Sequence, residues 1–346
     1  PWDSLEAALA HWESATPPPP AAVIEIQDSA VYVKPIAIRF AAEGQRLQIR
    51  AANGRRPVLR LLDWQPDQPD AVYVEGRAGS RLTLDGLLIA GRGIQVEGPM
   101  ARLTIRHSTL VPGWWLTADC DPRRPNEPSV ELTNTDACLI VEHSIIGSII
   151  VNLDEVSGDP LAICIEDSIL DATADSREAI SAPGCRLAHA ALTMRRTTVI
   201  GETLIHAIEL AENSIFTGEI RVARRQIGCL RFSYAPPGSR TPRRFRCQPD
   251  LAEAAARARH EPANAPPVII EAEQARIRPQ FDSVRYGTPD YGRLAQTCAE
   301  EIVRGADDDS EMGVFHNLYQ PQRAANLRAR LEEFSPSGMD AGIIFA

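Results

Sequence analysis

Apolar residues along this chain come in short bursts. From about residue 23 they form runs of three to six residues rich in Ile, Val and Leu: Val23–Ile26, Val31–Val33, Ile36–Phe40, Leu47–Ile49 and Val58–Leu62. Gly, Pro, Asn and Asp punctuate the runs, and no sustained 3.6-residue period is present before about residue 250. That texture predicts many short strands. Ahead of it, Leu5, Ala8, Leu9 and Trp12 share one face of a helix predicted over residues 1–15. Asp3 and Glu6 have capping-box spacing, and Pro17–Pro20 ends the helix as a stiff spacer.

One segment recurs. It reads Leu82-Thr-Leu-Asp-Gly-Leu-Leu-Ile-Ala-Gly91, then Leu103-Thr-Ile-Arg-His-Ser-Thr-Leu110, then Leu139-Ile-Val-Glu-His-Ser-Ile-Ile146. It returns as Ile163-Cys-Ile-Glu-Asp-Ser-Ile-Leu170, Leu192-Thr-Met-Arg-Arg-Thr-Thr-Val199 and Glu212-Asn-Ser-Ile-Phe216. The shared form is a strand with alternating inward residues, a polar pair, a Ser or Thr that bonds local backbone at a bend, and a second strand. Aligned on that hydroxyl, or on Leu87 in the first copy, the copies are 21, 36, 24, 29 and 17 residues apart. Coils with loops of unequal length give this spacing. A leucine-rich repeat would show its Asn or Cys signature, and a propeller would need longer four-stranded units. The expected fold is therefore all-β: a right-handed parallel β-helix solenoid with an N-terminal capping helix and a small α-containing C-terminal segment. Roughly eight or nine coils fit in residues 23–232, a rod about 40 Å long.

The expected division is 1–22 for the helix and Pro-rich linker, 23–232 for the β-helix, and 233–346 for the remainder. That remainder begins as a loop rich in Arg and Pro. A helix is expected over Asp250–His260, a pair of last strands at Val268–Ala272 and Ala275–Pro279, and helices over Asp290–Arg304 and Pro321–Phe334. The apolar ending Gly342–Ala346 reads as ordered. The helix at the start and the segment at the end are the natural covers for the two open ends of the core.

Charge removes some functions. The formal net charge is −10, which argues against general nucleic-acid binding, and no run of about 20 apolar residues can span a bilayer. Seven cysteines without a CxxC pair read as reduced thiols in a chain made in the cytoplasm.

Enzyme motifs are sparse. Asn134-Thr135-Asp136 matches only the first of the four polygalacturonase motifs and reads better as an exposed turn. Two carboxylate groups, Asp154, Glu155 and Asp159, and Glu166, Asp167 and Asp171, have the composition of a Ca²⁺ cluster, though surface acids in an acidic chain need no such role. Asp307–Glu311 lacks the EF-hand glycine and spacing and reads as a solvated loop. His107 and His143 hold the same place in adjacent repeat copies and are expected to stack, without a third metal ligand. No cofactor motif is present, and neither a metal nor a catalytic residue is assigned.

The charge anomaly lies at Arg221–Arg246, which holds Arg224, Arg225, Arg231, Arg240, Arg243, Arg244 and Arg246 and no acid, with Tyr234 and Phe245 among them. Two readings stand side by side. One is a contact site for an acidic protein surface or an anionic glycan. The other is a row of arginines over the last coils that pair with acidic neighbours. Trp114-Trp115 is a second candidate contact, with one ring expected inside and one outside.

The repeats resemble the right-handed parallel β-helix superfamily. The stretch Asn213–Tyr234, the run Pro236-Pro-Gly-Ser-Arg-Thr-Pro-Arg-Arg244 and the ending Glu311-Met-Gly-Val-Phe-His-Asn-Leu-Tyr-Gln-Pro-Gln-Arg-Ala-Ala-Asn-Leu-Arg-Ala-Arg-Leu331 resemble a family of uncharacterised bacterial proteins that occurs with phage-tail-like, contractile-injection gene clusters. The resemblance supplies no catalytic residues. It implies a non-enzymatic structural or adhesion component whose partners are other particle proteins or a glycan, released with an extracellular particle, for which a homotrimer is one admissible assembly. The alternative is a polysaccharide lyase or glycoside hydrolase working in a groove along the coils. An enzyme requires at least three acidic or basic groups converging in one cleft.

Overall fold

The computed structural model describes residues 2–61, 71–153, 158–259 and 266–339. Leu62, Asp154, Glu155, His260 and the Gly342–Ala346 ending, all named above, lie outside the described residues.

Strands wind around three faces of a parallel β-helix. The first coil places Ala21–Ile26 on face A, Val31–Tyr32 on face B and Ile36–Arg39 on face C. The next strand, Arg46–Ala51, returns to pair in parallel with Ala21–Ile26. Among the described residues ten strands stack on face A and eight each on B and C, with the long strand Glu202–Glu212 shared between C and A. Eight coils carry strands on all three faces. A ninth is completed by single bridges from Tyr234 to Ile215 and from Arg240 to Arg221. The stack then reaches Arg243–Phe245, which pairs with Cys229–Arg231 beyond residue 232.

The core is a set of columns. Inward residues of face A form the row Ile49, Leu84, Ile105, Val141, Ile165, Met194, Ala211 and Leu230, each in register with the next. All are buried. Like residues stack because every coil has the same shape, so each apolar side chain is covered by its counterparts above and below.

The bend between faces A and B repeats with little variation. The residue before each hydroxyl, and before the Cys247 thiol, is left-handed: His107, His143, Asp167, Arg196, Asn213, Phe232 and Arg246 all have φ between 46° and 50°. The next side chain then bonds in two directions. Ser144 Oγ donates to Glu142 O (2.7 Å) and accepts the Ser108 N–H of the preceding coil (3.1 Å). Ser108, Ser168, Thr197, Ser214 and Ser233 each donate to the carbonyl two residues back, and Cys247 ends the ladder with its thiol on Phe245 O.

Helix α1, Leu5–Ser14, covers the first coil with Leu5, Ala8, Leu9 and Trp12, and Trp12 meets Phe40 edge-on at 5.3 Å. Ser4, not Asp3, caps it, accepting from Ala7 N. At the other end the column Ala211–Leu230 is followed in register by Arg244, not by an apolar residue. Its guanidinium is tied to Thr241 Oγ1, Ser239 O and Asp250 Oδ1, the last at the start of helix α2, Asp250–Arg259.

The C-terminal segment does more than close the core. Outward residues on face B that would otherwise meet water are buried: Ile215 and Tyr234 join Ala252, Ile277, Leu294, Cys298, Ile302 and Met312 in a second apolar cluster. A strap thus runs back along face B to the loop after Gly113, where Arg285 holds Asp119 O and Asp121. Strands there are buried on both sides, so every residue of Ile169-Leu-Asp and Thr198-Val-Ile is covered.

Two expectations for this segment are corrected. Val268–Ala272 and Ala275–Pro279 are not strands; Pro267–Ile277 is one helix, α3. Its β-branched start suggested strands, but it packs on α2 through Gln274–Glu253 and Arg259–Glu273. Asp290–Arg304 is helical only at Glu300–Val303, α4. Asp290 and Gly292 take positive φ, and Gly292 N binds Ser283 O, which holds this stretch in turns. The final helix, α5 at Gln320–Phe334, forms where expected, yet none of its residues is buried; Leu327 and Phe334 are exposed.

Candidate functional site

The left-handed bend residues line up in a strip along the A–B corner, exposed at His107, His143 and Arg246, half-buried at Asp167, Arg196 and Phe232, and buried at Asn213. His107 and His143 stack at 5.3 Å, as their repeat positions required. His143 Nδ1 lies 3.7 Å from Asp167. Asp167 and Glu166 both bind Arg196, and the hydrogen bond to Asp167 raises the guanidinium pKa further above its ordinary value. Asn317 of the strap donates to Asp167 (2.8 Å), and Asn213 donates to Asp307 (2.7 Å). Beside the strip, Arg106 pairs with Asp85, and Arg195 and Arg231 share Glu212. A cation sits where a Ca²⁺ ion would have to bind Glu166 and Asp167, so this part of the carboxylate grouping is an ion-pair zipper. Asp171 is buried elsewhere, and Asp159 is exposed.

At the last coils the strip changes character. Phe232 and Phe245 meet edge-to-face at 5.7 Å, and Arg246 lies over both rings at 6.0 and 5.8 Å. Phe245 is 58% exposed. Arg243 is two residues before Phe245 on one strand, so both side chains leave the same face about 6.6 Å apart. Arg240 and Arg224 lie exposed at the adjoining C–A corner. Among the described residues the guanidinium groups of Arg224, Arg240 and Arg243 have no carboxylate partner, whereas Arg231 is paired and Arg225 donates to Thr241 O.

The structure therefore brings together Arg224, Arg225, Arg231, Arg240, Arg243, Phe245 and Arg246. It withdraws two residues. Tyr234 is buried in the second apolar cluster, where loss of water raises its phenol pKa. Arg244 is the half-buried end of a core column. The tryptophans lie elsewhere, on the loop after Gly113, some five coils away and thus on the order of 24 Å. Trp114 is buried with its indole N–H on Pro128 O; Trp115 is half-buried beneath Arg123 at 5.4 Å. Asp136 is exposed, as expected of a turn, and accepts from Met100 N.

Three chemical features were not legible beforehand. Burial raises the Asp171 carboxyl to about 6, against hydrogen bonds from Tyr291 and Thr173. Burial raises Glu311 to about 7, opposed by Arg293, at the edge of a cleft of about 730 Å³ beside α5. On face A, outward-facing Cys138 and Cys164 occupy adjacent strands. A hydrogen bond between the thiols lowers Cys138 to about 6 and raises Cys164. All three depend on residues far apart in the chain.

No family model, curated protein or solved structure matches this chain. No helix among the described residues is long and apolar enough to cross a membrane.

Proposed function

We propose that this protein is a non-enzymatic structural or adhesion module that uses its rigid coils to present the surface of Arg224, Arg240, Arg243, Phe245 and Arg246 to an anionic partner. The carrying observation is the contrast in charge pairing. Along most of the A–B corner, arginines and carboxylates neutralise one another. At the last coils, Arg246 lies over the exposed Phe245 ring, Arg243 leaves the same strand face, and Arg224 and Arg240 lie at the adjoining corner, the last three without carboxylate partners among the described residues; this is the composition of a contact hot spot. Of the two raised acids, Asp171 accepts from Tyr291 and Glu311 lies beside Arg293.

The partner class follows from the resemblance to proteins of phage-tail-like gene clusters: another particle protein, or a surface glycan. Two experiments bear on this. Particles sedimented from source-organism lysate should contain this chain with sheath and tube proteins; finding it only free would remove the particle assignment. In pull-downs from the same particles, the variant R224E/R240E/R243E should lose partner binding while keeping its circular dichroism spectrum. Unchanged binding would place the contact elsewhere.

A further inference from the structure

We propose that Asp307, Asp308 and His316 form a site for a divalent first-row transition ion, which clamps the C-terminal strap to the solenoid bend. One ligand atom from each lies within 4.8 Å of the others. His316 is only 5% exposed. Its Nδ1 is 3.2 Å from Glu311 O and 2.8 Å from Ser310 Oγ, whose hydroxyl donates to Asp308 Oδ1 (2.5 Å). Nδ1 is thus engaged inside the strap, which leaves Nε2 turned toward Asp308.

Nε2 faces Asp308 Oδ2 at 3.6 Å. Two ligands held about 2.1 Å from one ion at a tetrahedral angle stand about 3.4 Å apart. The gap fits an ion shared by the two groups.

Each ligand also has the second partner that metal ligands characteristically keep. His316 has Glu311 O, Asp308 has the Ser310 N–H and hydroxyl, and Asp307 has the Asn213 amide. Asn213 is the left-handed bend residue of the eighth coil, and its carbonyl also receives Gly313 N–H (2.8 Å). The ion would thus join strap to bend. One imidazole with two carboxylates suits Mn²⁺ or Zn²⁺ better than all-oxygen Ca²⁺.

Mn²⁺ is the better probe because it avoids the thiols of Cys138 and Cys164. The chelator-stripped full chain is titrated with Mn²⁺, with free ion followed by electron paramagnetic resonance and unfolding followed by circular dichroism. One tight ion per chain is expected, with a thermal midpoint that rises with Mn²⁺ concentration. D308N and H316Q should each weaken binding at least tenfold, and D307N, altered at an exposed position, tests the site should either of those fail to fold. Absence of a tight Mn²⁺ site would overturn the proposal, as would Mn²⁺ binding that persists unchanged in the folded variants.

Discussion

Replacing Ser144 by Ala tests whether the bend hydroxyls hold the coils together. Ser144 is 4% exposed, and its Oγ serves two groups. The Glu142 carbonyl keeps a partner when the hydroxyl goes, because His107 N also donates to it at 3.1 Å. The Ser108 N–H has Ser144 Oγ at 3.1 Å as its bond and loses it. A buried donor left unsatisfied costs about 1–3 kcal/mol. Ser144→Ala should therefore lower unfolding stability by about 2 kcal/mol, read as a urea midpoint shift at unchanged m. Native-state hydrogen exchange at the Ser108 amide should accelerate, while an amide on a distant coil such as Leu230 changes less. Ser144→Thr keeps the hydroxyl, as Thr197 does at its own rung, and should lose under about 1 kcal/mol. A loss below about 0.5 kcal/mol in Ser144→Ala, or an equal loss in Ser144→Thr, would refute the reasoning.

Two further outcomes follow from the shifted groups. Asp171 holds its proton more tightly folded than unfolded, so its stabilising contribution is complete below about pH 4 and is lost as pH rises through about 6. Asp171→Asn, which mimics the protonated acid toward Tyr291, should match the parent near pH 4 and exceed it at pH 8 by on the order of 3 kcal/mol in urea unfolding; parallel pH profiles would contradict this. At pH 7, iodoacetamide should alkylate half-buried Cys138 before exposed Cys185, whose thiol is raised by its hydrogen bond to Glu178. Peptide mass spectrometry showing Cys185 modified first, or no slowing of Cys138 in Cys164→Ser, would rule out the thiol pair.

The β-helix was legible because its physics is local and repeated. Each copy alternates inward apolar residues and places a hydroxyl at the bend, so a strand, a left-handed residue and a ladder rung are written into eight consecutive positions such as Leu139–Ile146. The capping face of α1 was legible for the same reason. Val268–Ile277 misled because a short apolar run carries no period that separates helix from strand; its partner α2 decided the matter. In the basic segment, pattern alone could not separate Arg244 from Arg243. They are adjacent in sequence, yet one ends a core column and binds Asp250, and the other faces solvent.

The sequence by itself determined the coil, its stacking and the concentration of positive charge near residue 240. Only the tertiary structure decided that Tyr234 is covered by the strap, that Asp171 meets Tyr291 across 120 residues, and that Asp307 meets Asn213 across 94. A repeat is encoded within one coil and is reinforced at every turn, whereas a contact between the strap and face B occurs once and arises from how far the chain travels back along the solenoid.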